Sequence, residues 1–363
     1  MKISQENTID RCRFCFMCRH VCSAARATHI ESITPRSQGL VMSLINRGAA
    51  VAGPDVVANV YNCTQCRWCR EWCEGGWDFS ACIIAAREVF LHESLATETV
   101  LKRLKQLDQQ TIQAAGSTDM LLLAEPTWVA EAVAQTESAV RLLRQAGFTV
   151  QATNVPSPVL ALYLLGDRSA AARHLQQLIE KVRSCGCGTV AVVAPGDAYV
   201  LRELPALLGT DALPEPIRIR TLADLMLEAF MNKKLQPQMG ETTWTYHDDD
   251  FSARYIHETE ALPSLLGAIP GLTVAAPVWR GRLARSSGGA SMGCTEMEIV
   301  AELADLRVRE LLQTRARHIV TMTADDAALL TGAAPADVTV RTLTGLLESA
   351  LLYRDDSGRN THD

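Results

Sequence analysis

The chain has 363 residues, 48% of them apolar and only 5% aromatic, with a formal net charge of −6. That length exceeds a lone ferredoxin and suffices for two or three domains with a sizeable core. The acidic balance excludes a general nucleic-acid binder, and no apolar run approaches the roughly 20 residues that span a bilayer.

The opening, MKISQENTIDR, is polar and lacks the apolar stretch of a signal peptide. A cytoplasmic protein is expected, peripheral to the inner membrane only through a partner. Residues 12–22 then read CRFCFMCRHVC, and residues 63–73 read CTQCRWCREWC. Both are C-x2-C-x2-C-x3-C, and together they use eight of the twelve cysteines. In a reducing compartment cysteines grouped this way suggest metal rather than disulfides. Zinc sites pair two C-x2-C knuckles around one ion and leave a third cysteine at the next interval without a role. The doubled spacing is that of bacterial two-cluster proteins, in which the fourth cysteine of each run ligates the other cluster. Two [4Fe–4S] clusters are therefore expected: one on Cys12, Cys15, Cys18 and Cys73, the other on Cys63, Cys66, Cys69 and Cys22. The fourth cysteine of each run is expected to start a helix. The proline that usually follows it is absent here, replaced by Ser23 and Glu74.

The residues between these cysteines are bulky: Phe14, Phe16, Met17 and Trp68, with Trp72 and Trp77 nearby. They either shield the clusters or simply pack a small domain. Arg13, Arg19, Arg67 and Arg70 read as solvated surface, with charge compensation or docking of an acidic partner as the alternatives. Residues 1–90 carry ten Lys and Arg against eight Asp and Glu, a net of +2, which leaves −8 for the remainder.

Segment 33–48, ITPRSQGLVMSLINRG, predicts a turn and then a helix with Pro35 in its first turn. After the second motif, 79–110 predicts one or two helices, with Cys82 on an apolar stretch as a buried, inert thiol. From residue 118 short apolar runs alternate with helical periodicity, which implies βαβ units and parallel sheet. Strands are expected at 119–125, 148–153, 189–196 and 217–222, and helices at 128–147, 168–186 and 222–230.

The second half repeats the first in order. GFTV at 147–150 matches GLTV at 271–274, TVAVVAPGDA at 189–198 matches HIVTMTADDA at 318–327, and IRIRTLADLMLEAF at 217–230 matches VTVRTLTGLLESAL at 338–351. The expected fold class is α+β overall: a helical, two-cluster ferredoxin-like N-terminal domain (1–95), a helical linker (96–117), and a duplicated α/β region with parallel sheets (lobes 118–236 and 241–353). A polar tail (354–363) follows. The Asp248–Asp249–Asp250 run beside His247 reads as a solvated acidic loop, with cation binding as the alternative. Cys185, Cys187 and Cys294 read as isolated thiols rather than a site.

With CRFCFMCRHVC, TPRSQG and CTQCRWCREWC ahead of a duplicated α/β region, the chain resembles the heterodisulfide-reductase-like iron–sulfur proteins. These include the glycolate oxidase iron–sulfur subunit and its counterpart in anaerobic glycerol-3-phosphate dehydrogenase. That family carries cysteine-rich signatures in each lobe. This chain departs from them: Asp197 stands at the turn cysteine, Asp250 at the His-Asp-Pro-Cys cysteine, Ser286 and Ser287 at a CCG triplet, and VPSP (155–158) near the other triplet. Serine and aspartate cannot replace a set of soft thiolates. The resemblance thus implies a non-catalytic electron-transfer subunit, relaying electrons from an FAD-containing dehydrogenase partner to quinone, a membrane-linked acceptor subunit or another carrier. The alternatives are a disulfide or quinone reductase with its chemistry in the lobes, and a sensor built on a labile cluster. The chain contains neither G-x-G-x-x-G nor G-x-x-x-x-G-K-[ST].

Overall fold

The computed structural model describes residues 3, 9–112, 116–125, 131–289 and 295–352. The tail at 354–363 and Cys294 lie outside them.

The cysteine-rich end is helical, and its helices begin where local chemistry dictates. Thr34 caps helix Pro35–Asn46, accepting from the Ser37 N–H at 3.3 Å, and Pro35 occupies the first turn, where a missing N–H costs nothing. Pro54 opens helix Pro54–Tyr61 in the same way. The stretch after the second motif forms two helices, Phe79–His92 capped by Asp78 and Glu98–Asp108 capped by Thr97. Ser94, at φ 58°, turns the chain between them.

The fourth cysteines differ from each other. Cys22 is the N-cap of helix Ser23–Thr28, as expected. Cys73 starts no helix: Gly75 and Gly76 follow it, Gly76 at φ 59°, and the next helix begins at Phe79. Paired glycines disfavour helix because they lose the most backbone freedom on ordering.

Beyond residue 118 lie two four-stranded parallel sheets. The first has the order β2–β1–β3–β4, with β1 Met120–Leu123, β2 Val150–Ala152, β3 Thr189–Val192 and β4 Arg218–Thr221. The second has the order β6–β5–β7–β8, with β5 Thr242–Tyr246, β6 Leu272–Val274, β7 His318–Thr321 and β8 Thr339–Thr342. The strand order is the same in both, and the repeated segments fall on equivalent strands. The continuous apolar runs are those of strands covered on both faces: β1 is buried along its whole length. In both copies a threonine ends the fourth strand and a Leu-rich helix follows, Leu222–Met231 or Leu343–Leu352.

One apolar core crosses both sheets, uniting Leu122, Leu142 and Met226 with Trp244, Val320 and Leu346. A second joins the cysteine-rich end to the first sheet, uniting Ile83 and Phe90 with Leu121, Leu178 and Val190. The helix Glu98–Asp108, read from sequence as part of a linker, buries Val100, Leu104 and Leu107 in this core. VLALYLL folds as the buried helix Val159–Leu165 at its centre. No helix among the described residues is long and apolar enough to cross a membrane.

Gly166, at the end of that helix, has φ 97°, and a Cβ there would lie 2.6 Å from the Arg87 Cβ. Gly166→Ala combines a left-handed backbone penalty with overpacking against an immobile neighbour, each of order 1–2 kcal/mol. Chemical denaturation should show a loss of at least ~2 kcal/mol; an unchanged midpoint would contradict this packing.

Candidate metal centres and a buried polar interface

The two cysteine runs fold alike at one point. Phe14 and Gln65, each two residues after the first cysteine of its run, adopt left-handed backbone at φ 51° and 55°. The chain thereby curls so that N–H groups face sulfur: Phe14 N–H donates to Cys12 Sγ at 3.4 Å. Arg36, from TPRSQG, holds this loop closed, donating from Nε to the Phe14 carbonyl at 2.7 Å while its guanidinium lies 4.4 Å from the Phe16 ring centre. Gly39 of the same segment lets Trp77 approach, since a Cβ there would meet the indole at 2.8 Å.

The eight thiols line two adjacent cavities. Cys12, Cys15, Cys18 and Cys73 line one of about 210 Å³, beside Trp77 and Arg13. Cys22, Cys63, Cys66 and Cys69 line the other. Cys69 touches both. The second cavity is tight, about 20 Å³, so admitting a four-iron cube requires its thiols to move outward. The donor set suits such a cube: soft cysteine sulfurs line both spaces, five the first and four the second, with neither carboxylate nor imidazole lining the second. Among the described residues no three His, Cys, Asp or Glu side chains are grouped to hold a single metal ion.

The two sets differ in exposure. Cys15 is exposed, whereas Cys66 and Cys69 are each 8% exposed. Burial pushes the Cys18 and Cys63 thiols up to about 11, against a lowering pull from Arg87 on Cys63, and pushes Cys22 and Cys69 up as well. At neutral pH these metal-free groups are thiols, so metal binding must release their protons. Hydrogen bonds already aim at the sulfurs. The Trp77 N–H donates to Cys73 Sγ at 3.3 Å, and Ser23, in the usual proline position, lies 3.3 Å from Cys66 Sγ of the opposite run.

The flanking residues divide. Trp68 and Trp77 are buried against the cysteines, while Phe16 is 56% exposed and Met17, 42% exposed, lines the rim of the first cavity. Arg13 and Arg19 are exposed, and Arg70 pairs with Asp78 at the surface. Arg67 is not the solvated residue expected: it pairs with Asp78 at 3.4 Å and lies 3.8 Å from the Tyr255 ring centre, because the second lobe covers it. Cys82, Cys185 and Cys187 are buried, with thiols raised by desolvation.

The acidic run is likewise not a solvated loop. His247, Asp248, Asp249 and Asp250 are all at most 4% exposed, since they leave the C-terminal end of β5 where the two lobes meet. Each carboxylate finds local donors. Asp248 accepts from Gly281 N–H at 2.7 Å. Asp249 caps helix Asp250–Arg254, accepting from Phe251 and Ser252 N–H at 2.9 and 3.1 Å. Asp250 pairs with Arg254 and accepts from Ser286 Oγ at 2.5 Å. Ser287 Oγ donates to Asp326, which faces His247 at 3.6 Å. Positions where the resemblance expects cysteines thus form an oxygen-rich seam, and Pro156, Ser157 and Pro158 line a cavity of about 100 Å³ with Asp249, Asp325 and Asp326. Asp197 is fully buried with neither carboxylate oxygen hydrogen-bonded, and desolvation holds its carboxyl well above the usual range. From this seam Arg254 donates to the Cys66 carbonyl, and Tyr255 Oη donates to the Gln65 carbonyl at 2.6 Å. The run thereby holds the second cysteine loop in place.

Burial, then the neighbouring Asp326, raises the Asp249 carboxyl from 3.8 to about 6. The folded state therefore binds that proton more tightly than the unfolded chain does. This contribution favours the fold at low pH and is lost as pH rises from about 4 through about 6. Asp249→Asn keeps a capping side chain but cannot titrate. Thermal melts across that window should show it losing less stability than the parent, by up to about 3 kcal/mol; identical pH profiles would refute the assignment.

No family model and no curated protein matches the chain. Among solved structures, a hypothetical protein from Helicobacter pylori is similar over 88% of this chain and 69% of its own, with a TM-score of 0.62 and 9% identity. A candidate Asp/Glu racemase from Yersinia pestis aligns over 64% of this chain and 98% of its own, at 14% identity and a TM-score of 0.27. At these identities the first likeness is one of fold alone.

Proposed function

We propose that the chain is an iron–sulfur electron-transfer protein that holds two [4Fe–4S] clusters, on Cys12, Cys15, Cys18 and Cys73 and on Cys63, Cys66, Cys69 and Cys22. The observation that carries this reading is that each cavity mixes the two runs: Cys12, Cys15 and Cys18 meet Cys73 and Cys69 in one, and Cys63, Cys66 and Cys69 meet Cys22 in the other. When bound, such a cluster accepts and releases electrons singly, at a potential set by hydrogen bonds, charge and exposure.

The chain's own residues supply what a relay needs. Cys69 borders both cavities, which keeps the two sites adjacent. Trp68 and Trp77 exclude water, and Arg36, Ser23 and the N–H groups of Phe14 and Trp77 fix the cysteine loops and meet their sulfurs. The exposed Cys15 gives the first site contact with the surface, where a partner's redox group could approach. By resemblance that partner is an FAD-containing dehydrogenase subunit, the acceptor is quinone or another carrier, and any membrane contact runs through a partner. The lobes serve as a scaffold that clamps the second loop through Arg254 and Tyr255.

A reductase with chemistry between the lobes is the second reading. It is favoured by the interlobe cavity that Asp249, Asp325 and Asp326 line, close to residues clamping the second cysteine loop. It requires a further redox centre or substrate there.

Anaerobic reconstitution with iron and sulfide should give a brown protein with about eight irons and no zinc per chain. A colourless product, or zinc in place of iron, would sink the relay. Metal beyond eight irons would favour the second reading. Cys22→Ser should damage the cluster of Cys63, Cys66 and Cys69, seen by electron paramagnetic resonance. Damage confined to the cluster of Cys12, Cys15 and Cys18 would refute the crossed arrangement.

A further inference from the structure

Beside the second thiol set lies a buried cation with no carboxylate paired to it among the described residues. Arg87, on helix Phe79–His92, is 0% exposed. Its guanidinium donates only to main-chain carbonyls: Val60 at 3.2 and 2.9 Å, Tyr61 at 2.9 Å, Cys63 at 2.9 Å and Leu164 at 2.6 Å. Val60, Tyr61 and Leu164 belong to the last turns of helices Pro54–Tyr61 and Val159–Leu165, whose dipoles favour a cation. These bonds satisfy the N–H groups but supply no formal negative charge.

The other buried arginines among the described residues are matched. Arg254 pairs with Asp250, and Arg307 lies 3.5 Å from Glu310. Arg67, next to the same cysteines, has Asp78. Arg87 grips the carbonyl of Cys63, one of the four thiols of the second set, and lies 5.1 Å from the Tyr61 ring centre. The first set has Arg36, which grips the Phe14 carbonyl of its loop, but that cation is only half-buried. Arg11 and Arg13, beside the same set, are exposed, where water and salt screen their charge.

We propose that Arg87 is the countercharge of the cluster on Cys63, Cys66, Cys69 and Cys22, and that it holds this cluster's reduction potential above that of the cluster on Cys12, Cys15, Cys18 and Cys73. The inference rests on the iron–sulfur reading above. Reduction adds negative charge to a cluster, which burial alone opposes; a fixed cation in the same water-poor surroundings acts unscreened and favours it. Arg87 touches no reacting atom and acts as a positioning residue. It makes the buried, lobe-clamped site the one on which an electron settles, and leaves the exposed site as the port of exchange.

The test is a redox titration of the reconstituted full-length chain followed by electron paramagnetic resonance. Cys15→Ser identifies the signal of the first cluster. The higher of two midpoints should belong to the second. Arg87→Gln keeps amide donors and removes the charge. It should lower the second cluster's reduced-to-oxidised ratio at fixed potential at least tenfold, 59 mV for one electron, and leave the first unchanged. Arg87→Lys should restore most of the difference. Should Arg87→Gln fail to fold, the parent protein decides: raising salt should move the first midpoint and not the second. Equal shifts in both clusters, no shift, or a Lys variant as perturbed as Gln would overturn the proposal while leaving the clusters in place. A chain that binds no iron would overturn the reading beneath it as well.

Discussion

The constraint on which the molecule depends is that each set of four sulfurs is assembled from two loops distant in sequence. Cys73 must reach the first loop and Cys22 the second, so neither loop can form its site alone. Everything near them serves this juxtaposition. Left-handed turns at Phe14 and Gln65 curl the loops, helix Ser23–Thr28 carries Cys22 across, and Gly75–Gly76 release the chain after Cys73. In the unfolded chain such a site does not exist, so the free energy of filling it is in part free energy of folding.

Arginines join this unit to the rest of the protein, some through carboxylates, as Arg26 with Glu310 at 2.9 Å, but those that hold the second cysteine loop do so through carbonyls. Arg87 ties the start of the second loop, at Cys63, to the first lobe at Leu164, and Arg254 binds Cys66 to the second lobe. A planar guanidinium with five fixed donors suits this use, since it can satisfy several orphan helix-end carbonyls at once without losing its charge when buried. The second cysteine loop is consequently fixed on two sides, while the first is exposed and held chiefly by Arg36. The asymmetry between the two sites lies in packing, because their cysteine spacing is the same.

The seam between the lobes shows how a site changes when its donors change. Aspartate and serine at positions where thiols are expected satisfy one another as hydrogen-bond partners: Ser286 with Asp250, Ser287 with Asp326. Both pairs lie within the second lobe and brace it; across the seam Ala324 N–H donates to Glu125 and Gln135 donates to the Met322 carbonyl, each at 2.7 Å. Asp197 is the exception, a buried carboxyl with no hydrogen bond. Elsewhere in the seam Asp249, Asp250 and Asp326 each have two or more donors or a cation against them, and Asp248 has the Gly281 N–H.

The periodicity of the chain by itself determined the alternation of strand and helix, the duplication, and the helix starts at Pro35 and Phe79, because first-turn preferences and burial of one face are local or period-bound properties. Cysteine spacing determined which thiols could share a cavity. Only the tertiary structure decided that Asp248–Asp249–Asp250 is buried, that Arg67 and Arg87 lie inside, and that one cysteine set has an exposed member, Cys15, while the other has two buried ones, Cys66 and Cys69. The physical reason is that burial of a charge depends on what the other lobe brings against it from far along the chain. Asp78 stands eleven residues from Arg67, but Tyr255, Arg254 and Leu164 arrive only when the lobes close over the second loop.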